Sequence, residues 1–468
     1  MDTPDLEQKK VLVIAYGFPP IAHAGVYRTM RFCRYLPDNG WKPTVITVNE
    51  SEDIYNDHSL LKRIPDEVQI HRTNILDFWR AIRRYQAKKA RREAAHAVLN
   101  DQDVPLSRVV RAAKRVERFA LSAMLKVFSI PDHMLLWIPF AVARGIRLMR
   151  REDFDVIFTT SPPHSEHLAG LILAKIFRKP WVVDFRDPIV DNFHTENLFR
   201  VELWLHALLE RIIVRFADTV VVVTEYHRHF LKNRYPADSG KFIVIRNGFD
   251  PALFRNIQPD IFDRFTILFA GTLYGTITPD FFIRGLARWL ETKPPSVKDN
   301  VQALFYGTGS EKAGALARDL GIEKVVKTSG LIPHDEIIRK QKGADLLLLI
   351  IGYDDKSAGV VTSKIYEYMA VGRPILAIMK ESEALDILRD YGKFYHARHD
   401  DYPALVKALD DAYEAYLKEG SAGKGEEERL TGFDNSRYDV TVQVRDLVHI
   451  FNESNLRRPG IQGEHPAP

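Results

Sequence analysis

Along the 468 residues, short runs of consecutive apolar positions alternate with longer stretches in which apolar residues recur three and four apart. The runs read as strands buried on both faces, and the spaced stretches as helices packed against them. This pattern predicts a strand at Val11–Tyr16, a helix at Tyr27–Leu36, and a strand at Pro43–Val48 after the turn Asn39-Gly40. Further strands are predicted at Phe154–Thr160, Pro180–Pro188, Thr219–Thr224 and Phe242–Ile245, with helices at about 167–177 and 196–216. Residues 251–263 lack apolar periodicity and are expected to form a linker. A second series follows: strands at Phe265–Ala270, 302–306, 325–328, Asp345–Tyr353 and Ile375–Ile378. Helices are expected between them at 279–291, 310–320, 334–342 and about 362–371, and then at about 402–418 and near 437–452. Strand-helix alternation implies parallel sheets with right-handed crossovers.

Where a strand runs through a loop into a helix, the helix N-terminus faces out beyond the strand's carboxyl end, and its free amides attract anions. The stretch Gly359–Pro374 has this form. Thr362 or Ser363 is placed to cap the helix, Gly372 ends it, and Lys364 adds a cation in the first turn. Glu367, one turn later, is placed to accept hydrogen bonds from two hydroxyls, as a ribose offers; a solvated Lys/Glu pair is the plain alternative. The first strand ends in Gly17-Phe-Pro-Pro20 and Ala24-Gly25, without the three close glycines of a dinucleotide fingerprint. Arg28 and Arg31 lie near the next helix start, either meeting an anion or solvated. His164 and His167 follow the 154–160 strand and would meet a substrate or cap the helix. Asp184, Arg186 and Asp187 end the next strand, as a substrate-facing cluster or as an ion pair holding the loop. Asn247-Gly248 predicts a sharp turn with positive φ.

Length implies two or three domains. The apolar fraction of 46% supports real cores, and a net charge of +4 says little about partners. A single cysteine, Cys33, excludes internal disulfides and cysteine-based metal sites and suits a reducing cytosol. No signal-peptide core and no apolar stretch of transmembrane length stands out. Residues 72–126 hold 14 arginines and lysines against 5 acids, a charge of +9. A helix over about 106–128 would place Arg108, Arg111, Arg115 and Arg118 on one side. Such a helix lies on an anionic membrane surface or packs on its own domain with a wet basic face. The aromatic interleaving of a single-strand nucleic-acid binder is missing.

Six stretches, in order, resemble glycosyltransferase family 4 (glycosyl transferases group 1) of the GT-B fold. They are Tyr16–Pro20 with Ala24-Gly25 and Arg28, Thr160–Pro163, Val183–Pro188, Arg246–Asp250, Phe269–Tyr274 and Ser363–Pro374. The resemblance implies two doubly wound Rossmann-like domains facing a cleft: 1–250 for the acceptor, with a basic helical insertion at about 75–130, and 251–430 for a nucleotide-sugar donor. A terminal helix, 431–455, would cross back to the first domain, and 456–468 would be a disordered tail. It implies sugar transfer with retention, without a divalent metal or other cofactor, to a saccharide or lipid-linked acceptor. Cell-envelope polysaccharide or glycolipid synthesis, at the cytoplasmic side and peripheral to the membrane, follows as an expectation. Carried over, Glu367 would hold the ribose, and Lys364 with the backbone of Gly271-Thr272 the diphosphate. Gly25 would lie near the donor and His164 near the reacting sugar, and Arg28, Asp184, Arg186 and Asn247 would join the substrate-binding set. Two departures stand out. Gly359 occupies the position of a glutamate that many members use for the donor sugar, and the arginine and lysine that often follow Gly271-Thr272 are replaced by Leu-Tyr-Gly-Thr-Ile-Thr. Backbone amides around Val360–Thr362 would then take over, or activity would be altered; Val361, Thr362 and Ser363 complete the substrate-binding set. A nucleotide-sugar epimerase of the same fold, or a catalytically silent binding protein, are the alternatives.

Overall fold

The structure, a computed structural model, describes residues 8–22, 24–50, 56–76, 132–190, 200–255, 257–353, 359–419 and 436–456. The basic helix expected at about 106–128 and the expected tail beyond 456 lie outside the described residues. The chain divides into two compact units. One comprises Met1–Val221, Tyr235–Ile243 and Val448–Pro468; the other comprises Val222–Arg234 and Val244–Leu447. The second unit thus takes up the chain at Val244, ahead of the apolar-poor stretch 251–263, and also claims the helix before it.

In the first unit, the elements run β1 (Lys9–Ile14), α1 (Ala24–Tyr35), β2 (Trp41–Val48), β3 (Gln69–Thr73), α2 (Ile138–Met149), β4 (Val156–Ser161), α3 (Glu166–Phe177), β5 (Trp181–Phe185), α4 (Arg200–Phe216) and β6 (Thr219–Val222). Helix α5 (Glu225–Arg234) belongs to the second unit, and β7 (Phe242–Val244) closes the first sheet. The sheet order is β3-β2-β1-β4-β5-β6-β7, with β3-β2, β2-β1, β1-β4 and β4-β5 parallel. Strands β4 and β5 are buried at every residue, as expected of strands covered on both faces. Strand β3 and helix α2 escaped the pattern reading; β3 is short and only half-buried, so its alternation is weak.

The second unit continues with β8 (Phe265–Ala270), α6 (Asp280–Glu291), α7 (Pro295–Asp299), β9 (Val301–Tyr306), α8 (Glu311–Asp319), β10 (Val326–Ser329), α9 (His334–Gly343) and β11 (Leu346–Ile350). Then come α10 (Ser363–Val371), β12 (Ile375–Ile378), α11 (Glu383–Tyr391), β13 (Phe394–Ala397), α12 (Tyr402–Glu419) and α13 (Val440–Leu456). All five strand pairs of the order β10-β9-β8-β11-β12-β13 are parallel. Its core carries Phe265, Phe269, Phe282, Leu286 and Trp289, each at most 2% exposed. Each such side chain contributes about 1.5–3 kcal/mol by leaving water. Helix α13 begins in this unit, and from Val448 its residues belong to the first, where Phe451 packs on Trp41 and Phe158.

Both sheets therefore have the doubly wound order, in which the connections turn in opposite directions from a central pair of strands. That pair is β1/β4 in one unit and β8/β11 in the other. Loops beyond the carboxyl ends of such a pair spread apart and leave room for a ligand. The candidate residues gather there.

The expected positive-φ turn at Asn247-Gly248 is not formed. No positive φ occurs at either residue, and Phe249 instead bridges in parallel to Asp439. Gly248 is needed for a different reason: a Cβ there would stand 2.2 Å from the Tyr438 carbonyl oxygen. Asn247 thereby sits in an extended segment laid against 438–440, with hydrogen bonds from Phe249 N to Tyr438 O and from Val440 N to Phe249 O.

Candidate active site

At the β8/β11 end of the second unit, α10 is placed by one side chain above all. The Tyr368 hydroxyl accepts from Ala270 N, at the end of β8 (3.2 Å), and donates to Leu348 O in β11 (3.4 Å). Ile365, Tyr366, Tyr368 and Met369 bury the helix's apolar side. Thr362, not Ser363, is the cap: its hydroxyl accepts from Lys364 N at 3.5 Å. The amides of Val361, Thr362 and Ser363 have no acceptor among the described residues. Gly372, in the left-handed region at φ 80, ends the helix.

Lys364 does not reach into water as half of a solvated pair. Its ammonium lies over Gly271, where an added Cβ would stand 2.0 Å from Nζ, and 5.5 Å from the centroid of the Phe269 ring. No hydrogen-bond acceptor meets that ammonium among the described residues. Burial holds its pKa below the ordinary lysine value, with Glu367 acting in the opposite sense. The loop under it is equally tight. Gly307, at φ 116, has no room for a Cβ, which would fall 2.1 Å from Gly271 O. Gly271 N donates to Tyr306 O and Leu273 N to Thr308 O, both at 2.9 Å. Thr272 is exposed beside this loop. Glu367 lies one turn beyond Lys364, with Oε1 3.9 Å from Nε2 of His334. Both side chains keep part of their surface open. This part of the unit thus combines a cation and three amides that meet no hydrogen-bond acceptor among the described residues with a reachable carboxylate.

Because the ammonium pKa is lowered, an anion that needs the charged form should bind less well as pH rises through that lowered value. The weakening should start at a lower pH than an ordinary lysine would give. Titration of nucleoside diphosphate affinity against pH checks this, with Lys364→Arg expected to push the loss to higher pH because a guanidinium stays charged.

Gly359 has a specific neighbour. A Cβ there would stand 2.5 Å from Cδ1 of Tyr226, on α5 of the same unit. The α5 amides of Glu225 and Tyr226 donate to Glu383 at 3.1 and 3.0 Å, and Arg246 pairs with the same carboxylate. The ring of Tyr226 therefore occupies the space a longer side chain at 359 would enter.

In the first unit the sequence-predicted residues come together, in a different pairing from the one expected. Arg28 is neither solvated nor open to an anion. It is 7% exposed and grips Asp184 with Nη2 to Oδ1 at 3.0 Å and Nε to Oδ2 at 3.1 Å. Thr160 donates to the same carboxylate at 2.8 Å. Arg186 is not the partner of Asp184 in hydrogen bonding; it donates to the carbonyls of Ser161 (2.9 Å) and Pro162 (2.6 Å). His164 sits within 3.0 Å of the Ser161 hydroxyl, whereas His167 is wholly buried and bonded to Thr159 at 2.7 Å. Burial keeps His167 neutral, well below the usual histidine range, so it belongs to the core and not to a substrate. The α3 start is capped by neither histidine: Asp132 accepts from Ser165 N and Oγ. Gly25 lies in the first turn of α1.

Glu166, within the same run, was given no role from the sequence. It is 1% exposed and accepts from Tyr16 N at 2.7 Å, tying the end of β1 to α3. Burial raises its pKa well above the carboxylate norm, against the Tyr16 hydrogen bond and the Arg186 charge, which act in the opposite sense. Among the described residues, groups of three or more His, Cys, Asp or Glu placed to hold a metal ion do not occur.

Residues 24–248 match the family described as glycosyl transferase 4-like domain. The chain carries a glycosyl transferase 4-like domain. Outside the family match, it is similar to a protein named D-inositol 3-phosphate glycosyltransferase from Corynebacterium aurimucosum, 25% identical over 288 residues (55% of this chain and 64% of that protein). A protein of the same name from Acidothermus cellulolyticus is 26% identical over 275 residues, 53% of this chain and 57% of its own. The chain thus spans less than two thirds of the length of these curated relatives. Solved structures share the fold across nearly the whole chain. A glycosyltransferase from Rickettsia africae aligns at TM-score 0.60 with 14% identity, over 96% of this chain and 98% of its own. Anabaena HepE in complex with UDP-glucose aligns at TM-score 0.58 with 15% identity, over 95% and 99%. The fold class is GT-B, two α/β units with parallel sheets, as the motif order implied. The glycosyl transferase 4-like domain therefore includes α1, the Arg28–Asp184 pair and the 161–167 loop, and it ends at Gly248 beside the extended segment.

Proposed function

We propose that this protein is a glycosyltransferase that moves a sugar from a nucleoside diphosphate sugar to a hydroxyl of a saccharide or lipid-linked acceptor, in cell-envelope polysaccharide or glycolipid synthesis. One observation carries the reading: the Lys364 ammonium lies over Gly271, and neither it nor the amides of Val361, Thr362 and Ser363 meet a hydrogen-bond acceptor among the described residues. That combination suits a diphosphate. The complexes of HepE with UDP and with UDP-glucose, and the names of the relatives, support the same choice of donor class.

In such a transfer the bond from the anomeric carbon to the diphosphate oxygen breaks as a new bond to the acceptor oxygen forms. Negative charge grows on the leaving diphosphate. Amides and an ammonium already fixed at its oxygens stabilise that charge more than the ground state, and so raise the rate. No reorganisation is needed, because Gly271 and Gly307 let the two loops close up beneath the ligand. Retention of anomeric configuration is part of this proposal. His164 is retained as the candidate ring near the reacting sugar: of the two histidines at 164 and 167, it alone keeps any surface.

Glu367 is assigned to the ribose hydroxyls. Glu367→Ala should weaken nucleoside diphosphate binding by about tenfold, the loss of hydrogen bonds to a charged acceptor. It should also erase the preference for the ribonucleotide over its 3′-deoxy analogue, read by calorimetry. Retained discrimination would remove the ribose role. The reading as a whole is tested by a thermal-shift screen of nucleoside diphosphates followed by nucleotide sugars. Nucleotide-dependent stabilisation, followed by nucleotide release that depends on an added acceptor, is the expected result. Interconversion of nucleotide sugars without acceptor would favour an isomerase instead.

A further inference from the structure

Helix α4 buries polar groups beside Leu209, Ile213 and Val214 while leaving other apolar side chains exposed. Its inward side carries Glu202, His206 and Glu210, each at most 9% exposed. These groups are engaged: His206 Nδ1 lies 2.8 Å from Glu202 O, and Glu210 accepts from Tyr235 Oη at 3.0 Å and from Val190 N at 3.2 Å. The outward side is apolar and cationic. Its eight exposed positions hold five apolar residues and three arginines, Arg200, Arg211 and Arg215, and nothing else. Trp204 and Val201 are 62% and 66% exposed. Helix α3 extends the surface with Ile172 and Ile176, 39% and 54% exposed, and Lys175 of α3 lies 4.0 Å over the Phe216 ring of α4. Neither helix exposes an aspartate or glutamate.

Exposed apolar side chains clustered on two helices and interspersed with cations mark a docking surface. We propose that α3 and α4 seat the protein on the surface of an anionic lipid bilayer. The charge decides the occupant. Every charged group exposed on the two helices is cationic, which complements acidic headgroups. A second copy packed two-fold on the same face would set arginines against arginines. The residue types fit the depth expected at a headgroup boundary: a tryptophan and aliphatic side chains reaching inward, with arginine stems lying along them and their guanidiniums at the phosphates. No helix among the described residues is long and apolar enough to cross a membrane. This inference stands on the surface of the first unit alone and does not depend on the donor chemistry.

Flotation of the full-length protein with vesicles of phosphatidylcholine alone, and with added phosphatidylglycerol, tests it. Binding should require the anionic lipid and weaken with salt. The double substitution Arg211→Glu with Arg215→Glu should lower binding by tenfold or more, and Trp204→Ser with Leu208→Ser should lower it similarly. Both pairs lie at exposed positions, so melting temperature and nucleotide response should be unchanged, and these are measured alongside. Three results would overturn the assignment: no binding to anionic vesicles, binding that neither pair of substitutions alters, or a dimer in solution that Trp204→Ser with Leu208→Ser disperses.

Discussion

Lys364→Ala should slow sugar transfer by about 10²–10³-fold, the range found when one preorganised donor to a developing negative charge is removed. The basis is geometric. The ammonium is carried on the first turn of α10, crosses Gly271, and meets no acceptor within the protein among the described residues. Its charge is therefore uncommitted until an anion arrives, and is worth most where that anion gains charge. The nucleoside diphosphate itself should bind only moderately less well, because the amides of Val361, Thr362 and Ser363 remain. The measurement is kcat in single-turnover transfer set beside diphosphate affinity by calorimetry. A loss confined to affinity, with kcat intact, would show that Lys364 binds ground state and transition state alike. Lys364→Arg is a useful contrast, since it keeps the charge but must fit a wider planar group over Gly271.

Arg28→Ala should cost about 3–5 kcal/mol of stability, the penalty for stranding a buried charge. Asp184 has no exposed surface, and beyond the two nitrogens of Arg28 it accepts from the Thr160 hydroxyl. Removing the guanidinium leaves the desolvated carboxylate with one neutral donor and only the more distant charge of Arg186, which is not hydrogen-bonded to it. Chemical denaturation read by circular dichroism checks the value. Replacing both partners, Arg28→Met with Asp184→Asn, should recover much of the loss, because neither change leaves an uncompensated charge. If the single substitution were harmless, the pair would not be what secures β5 to α1.

These two residues also show how far the chain can be read from its residues alone. Lys364 was partly legible: its place in the first turn of a helix after a fully apolar strand followed from local spacing, but a solvated pair with Glu367 fitted that spacing too, and only the structure lays its ammonium over Gly271. Arg28 was only half legible. Its place near the start of α1 followed from periodicity, but its partner lies 156 positions along the chain. The choice among anion, solvent and Asp184 rests on which strands are neighbours. Asn247-Gly248 failed for the same reason. Dipeptide preference is a weak local term, and the approach of the Tyr438 backbone overrode it. Glu166 and Tyr226 carried no signal of their own. A glutamate at a helix start reads as a cap, and an aromatic in a charged helix reads as surface, until β1 is found over the one and Gly359 under the other.

The sequence by itself determined the class of this protein, α/β with parallel sheets in two units, and the position of the capped helix start at Thr362–Ser363. Those follow from periods, caps and glycines, which act within a few residues of each other. Only the tertiary structure decided the pairing of buried charges, the burial of Glu166, the filling of the space at Gly359 and which of α4's apolar side chains are left exposed. Each depends on what is desolvated and by which distant segment, and hydrophobic pattern alone does not distinguish a face turned to the core from one turned outward.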